Sequence, residues 1–150
     1  MDDEGRFKIA VGVDGSLESR FALEWAVSEA RLRHGKVRVL TAWEYPPAMA
    51  GMEGMVWDPV IFEPTARTLQ TDTLKRVDTN GVDVTAHVIQ GPTATVLIRA
   101  SEDADLLVLG SRGHGGFKGL LLGSVSTQVV HHAACAVLVV RTRPGDLDVA

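Results

Sequence analysis

Apolar runs alternate with helical patterns along the chain. Five short runs rich in Val, Leu, Ile and Ala are separated by segments in which apolar residues recur every three or four positions. The runs predict five strands, at 7–13, 37–43, 82–89, 105–109 and 136–141. The segments predict four helices, beginning near Ser16, Pro64, Thr93 and Ser124. This order is typical of an α/β fold, a three-layer sandwich in which helices cover both faces of a five-stranded, mostly parallel sheet.

Periodicity also assigns the two faces of the first helix. The pattern predicts that five apolar residues face the core: Phe21, Ala22, Trp25, Ala26 and Ala30. It predicts that five charged residues face solvent: Glu18, Arg20, Glu24, Glu29 and Arg31. The preceding Asp14-Gly15-Ser16 predicts a turn that caps the helix, and Gly35 predicts its end.

Two segments interrupt the alternation. The first, a long loop at about 44–63, mixes three prolines, two glycines and three methionines with no sustained period, and such segments are usually functional or mobile. Its large apolar residues fit both a partner-binding surface and a soft lid folded on the sheet: Met49, Met52, Met55 and Trp57. The second, at 110–123, holds six of the fifteen glycines of the chain.

Composition restricts the class of protein. A length of 150 residues suits a single domain, 1–150, and 45% hydrophobic residues argue against disorder. A formal net charge of −4 argues against nucleic-acid binding, which usually needs a basic face. The sequence contains no run of about 18 apolar residues, so it predicts no membrane-spanning helix. One cysteine, Cys135, and an acidic start without a signal-peptide pattern make the cytoplasm the expected compartment.

The glycine-rich segment carries the clearest chemical signal. It follows the fourth predicted strand, and ligands of open parallel sheets bind at the carboxyl ends of the strands. Dense glycines let backbone N–H groups turn inward around an anion. Gly123-Ser124-Val125-Ser126 then opens a helix, whose free N–H groups and two hydroxyls suit a phosphate. The alternative is a flexible loop that crosses the sheet edge, with Ser124 as an ordinary N-cap.

The glycine spacing resembles the nucleotide motif of the universal stress protein family. Gly110-x-x-Gly113, nine residues, then Gly123-Ser124 carries the resemblance, and segments 11–16, 104–110 and 124–140 extend it over nearly the whole chain. The resemblance implies a five-stranded, adenine-nucleotide-binding (Rossmann-like) fold with ATP or another adenine nucleotide as ligand. It also implies a homodimer formed through the last strand, at 136–141.

The resemblance implies a role for each matching residue. Val13 and Asp14 lie beside the ribose and phosphates, and the backbone of Ala42 recognises the adenine. The other matching residues hold the ribose and phosphate chain: Gly110, Arg112, Gly113, Gly123, Ser124, Val125 and Ser126. Arg112 suits this role physically, since a guanidinium pairs bidentately with phosphate oxygens. A divalent cation such as Mg²⁺ would bridge the phosphates near Asp14.

The expected function is therefore an ATP-binding, stress-response regulator. A slow ATPase or phosphotransferase is one alternative, with His114 and Lys118 as its candidate side chains, but the preferred interpretation of both is as exposed side chains of a glycine-rich loop. A second alternative is an interaction module with a vestigial nucleotide site. The cluster His131-His132-x-x-Cys135 offers His131 and Cys135 at helical i,i+4 spacing, which is too few ligands for a zinc site, so packing is the preferred interpretation.

Overall fold

The computed structural model describes residues 3–44, 62–112 and 122–142, which form five strands and four α-helices. The strands are β1 (Lys8–Gly12), β2 (Lys36–Trp43), β3 (Asp83–Gln90), β4 (Leu106–Gly110) and β5 (Ala136–Val140). The helices are α1 (Leu17–Arg33), α2 (Glu63–Lys75), α3 (Thr93–Ser101) and α4 (Ser124–His132), preceded by a 3₁₀ turn at Asp3–Gly5. The predicted order of elements is confirmed.

All five strands are parallel, in the order β3-β2-β1-β4-β5. The chain therefore runs from β1 outward to β2 and β3, and then returns to place β4 and β5 on the other side of β1. The connections that leave β1 and β4 diverge at this reversal, which opens a crevice at the carboxyl ends of these two strands.

Two apolar cores, one on each face of the sheet, make the domain a three-layer sandwich. On one face, Ile9 and Val11 of β1 pack with Leu23 and Val27 of α1, and Leu74 of α2 adjoins this core. On the other face the core draws on β1, β4, α3 and α4: Ala10, Leu107, Leu109, Leu97 and Val129. The central strands are buried on both faces, which explains why their sequences read as continuous apolar runs.

Two residues of α1 lie opposite to their predicted faces. Trp25 is 50% exposed, whereas Glu18 is 8% exposed and therefore buried. Leu23 and Val27, both buried, lie two positions from Trp25, which is roughly 200° around the helix at 3.6 residues per turn. Glu18 and Trp25 lie seven positions apart and therefore on nearly the same side of α1. The prediction was wrong for both because burial on this side depends on what packs against it, and the end of β4 packs against Glu18.

The ends of α1 are set by local backbone chemistry. Ser16 caps its start, with its Oγ accepting a hydrogen bond from the Ser19 N–H at 3.2 Å. His34, and not Gly35, adopts the left-handed conformation that ends the helix, with φ of 53°. Position 35 is occupied by glycine for a different reason, because a Cβ there would overlap the carbonyl oxygen of Phe7. Within 3–44, 62–112 and 122–142, no helix is long and apolar enough to cross a membrane.

Two leucines of α1 test the assignment of its faces. Leu23 is fully buried and Leu32 is 76% exposed. We expect Leu23→Ala to lower the free energy of unfolding by about 3 kcal/mol, because it leaves a cavity in the core. The same change at Leu32 should alter it by less than about 0.5 kcal/mol. Urea denaturation followed by circular dichroism measures both, and equal losses would contradict the assignment.

Candidate functional site

A cleft of about 820 Å³ lies at the carboxyl ends of the strands, between the segments that leave β1 and β4. Every described residue that the sequence singled out lines it: Val13, Asp14, Ala42, Gly110, Arg112, Gly123, Ser124, Val125 and Ser126. Gly113 lies outside the described residues. The fold thus gathers residues from four separate parts of the chain at the reversal of strand order, where ligands of such sheets bind.

The cleft has an apolar part and a polar part. Leu40, Leu97 and Leu109, from β2, α3 and β4, supply apolar surface. Hydroxyls, backbone groups and the charged side chains of Asp14 and Arg112 line the remainder. Small-molecule sites combine apolar walls with a few polar groups in this way. The cleft is therefore suited to a ligand with a flat apolar ring and a polar, anionic tail.

Asp14 is held by the turn that follows β1. Its Oδ1 accepts a hydrogen bond from the Ser16 N–H at 2.9 Å, and its own N–H donates to the Ser19 hydroxyl at 3.3 Å. Gly15, with φ of 84°, lets the chain turn between these residues. Within the described part of the chain, Oδ2 of Asp14 has no hydrogen-bond partner. One carboxylate oxygen therefore stays available to a ligand or a cation.

Within the described residues, the first turn of α4 offers backbone donors without a partner to the cleft. Its N-cap is Gly123, and no side chain in this part of the structure caps it. Ser124 is the first helical residue and not the N-cap, so the interpretation of Ser124 as an ordinary cap is wrong. The N–H groups of Ser124, Val125 and Ser126 thus keep their capacity for an anion, aided by the positive end of the helix dipole.

Two described glycines, Gly110 and Gly123, flank the loop, and the reason for glycine differs between the two positions. A Cβ on Gly110 would lie 2.8 Å from the Cβ of Glu18 and 3.2 Å from its carbonyl carbon, so packing against α1 excludes a side chain. A Cβ on Gly123 would meet Ser111 and Arg112 at ordinary distances, 3.4 Å and more. Its backbone is extended, with φ of −80° and ψ of 178°. Among the described residues, therefore, no packing contact requires glycine at position 123.

The carbonyl of Ser111 closes the base of the glycine-rich loop. It accepts hydrogen bonds from the Gly123 N–H at 2.7 Å and from the Ser126 hydroxyl at 2.6 Å. The Ser111 N–H in turn donates to the carbonyl of Val140, at the end of β5. Ser126 is buried and its hydroxyl donates to the Ser111 carbonyl. Donation by this hydroxyl to a phosphate stays a prediction, and it would require the Ser111 hydrogen bond to be exchanged.

The sequence prediction missed the apolar cleft residues Leu40, Leu97 and Leu109, and it missed Glu18, which lies behind the cleft. Its Oε2 accepts hydrogen bonds from the Arg112 N–H at 2.6 Å and the Ser111 hydroxyl at 3.0 Å. Its Oε1 lies 3.4 Å from the Arg112 guanidinium and 3.2 Å from the Thr142 hydroxyl. Helical spacing does not separate Glu18 from the exposed Trp25, because the two lie on one side of α1 and differ in what packs against them.

The other residues that the sequence suggested for chemistry form no site within the described part of the chain. Helix α4 ends at His132, so Cys135 does not share a helical face with His131, and that predicted spacing is wrong. Burial raises the pKa of the Cys135 thiol, and the nearby Asp105 carboxylate raises it further. Within the described segments, no three His, Cys, Asp or Glu residues are grouped as a metal site would require. His114, Lys118 and the methionines of the long loop lie outside the described residues.

Most of the chain is similar to proteins of one known family. The model of the universal stress protein family matches residues 5–141. A universal stress protein of Mycolicibacterium smegmatis is 35% identical over 146 residues, which is 93% of this chain and 47% of that protein. One from Mycobacterium tuberculosis is 30% identical and matched over 91% of this chain and 48% of its own length. The chain therefore spans about half the length of these relatives.

Solved structures show the same fold. A universal stress protein in complex with cAMP superimposes with a TM-score of 0.70 at 25% identity, covering 91% of this chain and 98% of the other. The protein UspA of Lactobacillus plantarum superimposes with a TM-score of 0.68 at 23% identity, covering 91% and 99%. The fold, the glycine spacing and the family match agree, and the chain belongs to the universal stress protein family.

Proposed function

We propose that the chain binds an adenine nucleotide, ATP, in the cleft between β1 and β4, and that it acts as a stress-response regulator. The observation that carries the proposal is the first turn of α4, which no described side chain caps and which lines the cleft behind a glycine that no described packing contact requires. The solved relative in complex with cAMP supports an adenine nucleotide as the ligand class. Occupancy of the site would then bias the conformation that a partner recognises.

The adenine would lie on the apolar surface formed by Leu40, Leu97 and Leu109. Ala42 suits recognition of its polar edge. Pairing of β1 with β2 stops at Leu40, whose carbonyl accepts the Val13 N–H at 2.9 Å. Alternate residues of a strand direct their backbone groups to the same side, so the N–H and C=O groups of Ala42 point to the β1 side of β2, as those of Leu40 do. The β1 pairing ends before Ala42, so among the described residues its backbone groups have no partner on that side and can bind the adenine edge.

The phosphates would lie at the start of α4. The backbone N–H groups of Ser124, Val125 and Ser126 would donate to them, and Gly113 and Gly123 would keep the approach open. Gly110 would adjoin the ribose and phosphates from the end of β4, where it lets α1 pack closely. Val13 and Asp14 would adjoin the ribose. The free oxygen of Asp14 fits one coordination position of a Mg²⁺ ion, which would take its other ligands from the phosphates and water.

The direct test is to identify what the purified protein carries. We expect denaturation to release an adenine nucleotide detectable by chromatography, and the emptied protein to bind ATP with Mg²⁺ in calorimetry. A protein that carries no nucleotide and does not bind added ATP would contradict the proposal and favour a vestigial site.

Gly123 gives a sharper test of where the phosphates bind. Gly123→Val should weaken ATP binding at least about tenfold, because the branched side chain occupies the space in front of the α4 N–H groups. The melting temperature should change little, since the backbone at 123 suits any residue. Gly5→Val is the matched control, at an exposed position with no atom near its Cβ, and should leave binding unchanged. Wild-type affinity in Gly123→Val would show that the phosphates lie elsewhere.

We also propose a homodimer through β5, the last strand at 136–141. This strand lies at the edge of the sheet, pairs with β4, and is apolar along Ala136–Val140. An apolar edge strand is prone to pair with another chain, and pairing with a second copy satisfies its free backbone groups.

Val139 tests this dimer without disturbing β4. Val140 directs its carbonyl to Ser111, so the neighbouring Val139 directs its backbone to the free edge. We expect the wild type to elute at twice its 16.1 kDa mass in size-exclusion chromatography with light scattering. Val139→Pro removes a donor of the free edge and should give monomers, whereas Val139→Thr keeps the donor and should stay dimeric. A dimeric Val139→Pro variant with unchanged circular dichroism would contradict the β5 interface.

A further inference from the structure

Glu18 connects three segments that are far apart in the chain. Glu18 lies in the first turn of α1, and its carboxylate accepts hydrogen bonds from Ser111 and Arg112, which follow β4, and from Thr142, which follows β5. Its side chain is 10% exposed, so these contacts form with little water around them. Charge-assisted hydrogen bonds in such surroundings are stronger than neutral ones.

The contacts of Glu18 are not those of a residue that serves its own helix. The N-cap role belongs to Ser16, which already accepts the Ser19 N–H. Both carboxylate oxygens of Glu18 are instead directed at the other segments, two donors on each. Gly110 makes this possible, because only a glycine admits Glu18 so close to the end of β4.

The residues that Glu18 holds are those on which the cleft depends. Ser111 closes the base of the glycine-rich loop through its contacts with Gly123 and Ser126. Arg112 lines the cleft and is ion-paired to Glu18 at 3.4 Å. A guanidinium fixed in this way meets a phosphate without first losing the rotamer freedom of a long side chain.

We propose that Glu18 is a positioning residue for nucleotide binding, which rests on the function proposed above. Its carboxylate sets the place of Ser111 and Arg112 at the start of the glycine-rich loop, and through Thr142 it connects this point to the end of β5. The nucleotide site and the edge strand are thereby linked by one buried side chain.

Charge and position act in opposite directions on ATP, which makes the test decisive. As a negative charge near a polyanion, Glu18 would weaken ATP binding, and its removal would strengthen it. As a positioning residue, it strengthens ATP binding by fixing Ser111 and Arg112. Adenosine lacks the phosphates that Arg112 would meet, so the loss of a positioning role would spare adenosine binding, whereas the loss of a role in stability alone would weaken ATP and adenosine equally.

The experiment compares the affinities for ATP and adenosine by calorimetry at one ionic strength. We expect Glu18→Gln to weaken ATP binding about tenfold and adenosine binding less than about twofold. Glu24→Gln is the matched control, with the same change of charge at an exposed position of α1, and should alter neither. Equal or tighter ATP binding by Glu18→Gln, or equal weakening of both ligands, would overturn the proposal.

Thr142→Val covers the case in which Glu18→Gln does not fold. It removes one hydrogen bond to Glu18 at a residue that does not line the cleft. We expect ATP binding to weaken about threefold with adenosine binding unchanged. Unchanged ATP binding would overturn the link to β5.

Hydrogen exchange separates this proposal from the proposed function. In the ligand-free protein, the Arg112 N–H should exchange faster in Glu18→Gln than in the wild type, because its acceptor is weakened. Failure of the wild type to bind ATP would reject the nucleotide function. Unchanged exchange at Arg112 would reject the role of Glu18 independently of any ligand.

Discussion

The close packing of the first turn of α1 against the end of β4 is the contact on which the candidate site depends. Gly110 permits it, because any side chain there would collide with Glu18. The contact buries the Glu18 carboxylate, which holds Ser111 and Arg112. Ser111 then holds Gly123, where α4 begins. One helix turn thus locates both ends of the glycine-rich loop and the donors that follow it.

The proposed site would bind phosphates through local donors and not through the overall field of the protein. A chain with a net charge of −4 repels a polyanion at long range, so its attraction must come from groups in contact with the ligand. The contrast between two helices shows how: α1 has its start capped by Ser16, whereas no side chain among the described residues caps α4.

The sequence was sufficient for the order of elements and for a set of candidate residues that meet at one cleft, because both depend on local patterns. Apolar runs mark the doubly buried strands, and the clustered glycines mark the loop. It was insufficient for Glu18 and Trp25, since their burial depends on neighbours from elsewhere in the chain. It also could not separate Gly110 from Gly123. Whether a glycine serves packing or leaves space for a ligand depends on what a Cβ would meet.

The central claim is that the uncapped start of α4 binds the phosphates of an adenine nucleotide. Amide chemical shifts in a ¹H–¹⁵N spectrum recorded during titration with ATP and Mg²⁺ measure this most directly. We predict that the amides of Ser124, Val125 and Ser126 shift most, together with Ala42, while those of α2 stay unchanged. Shifts confined to other parts of the protein, with the α4 amides unmoved at saturation, would contradict the account.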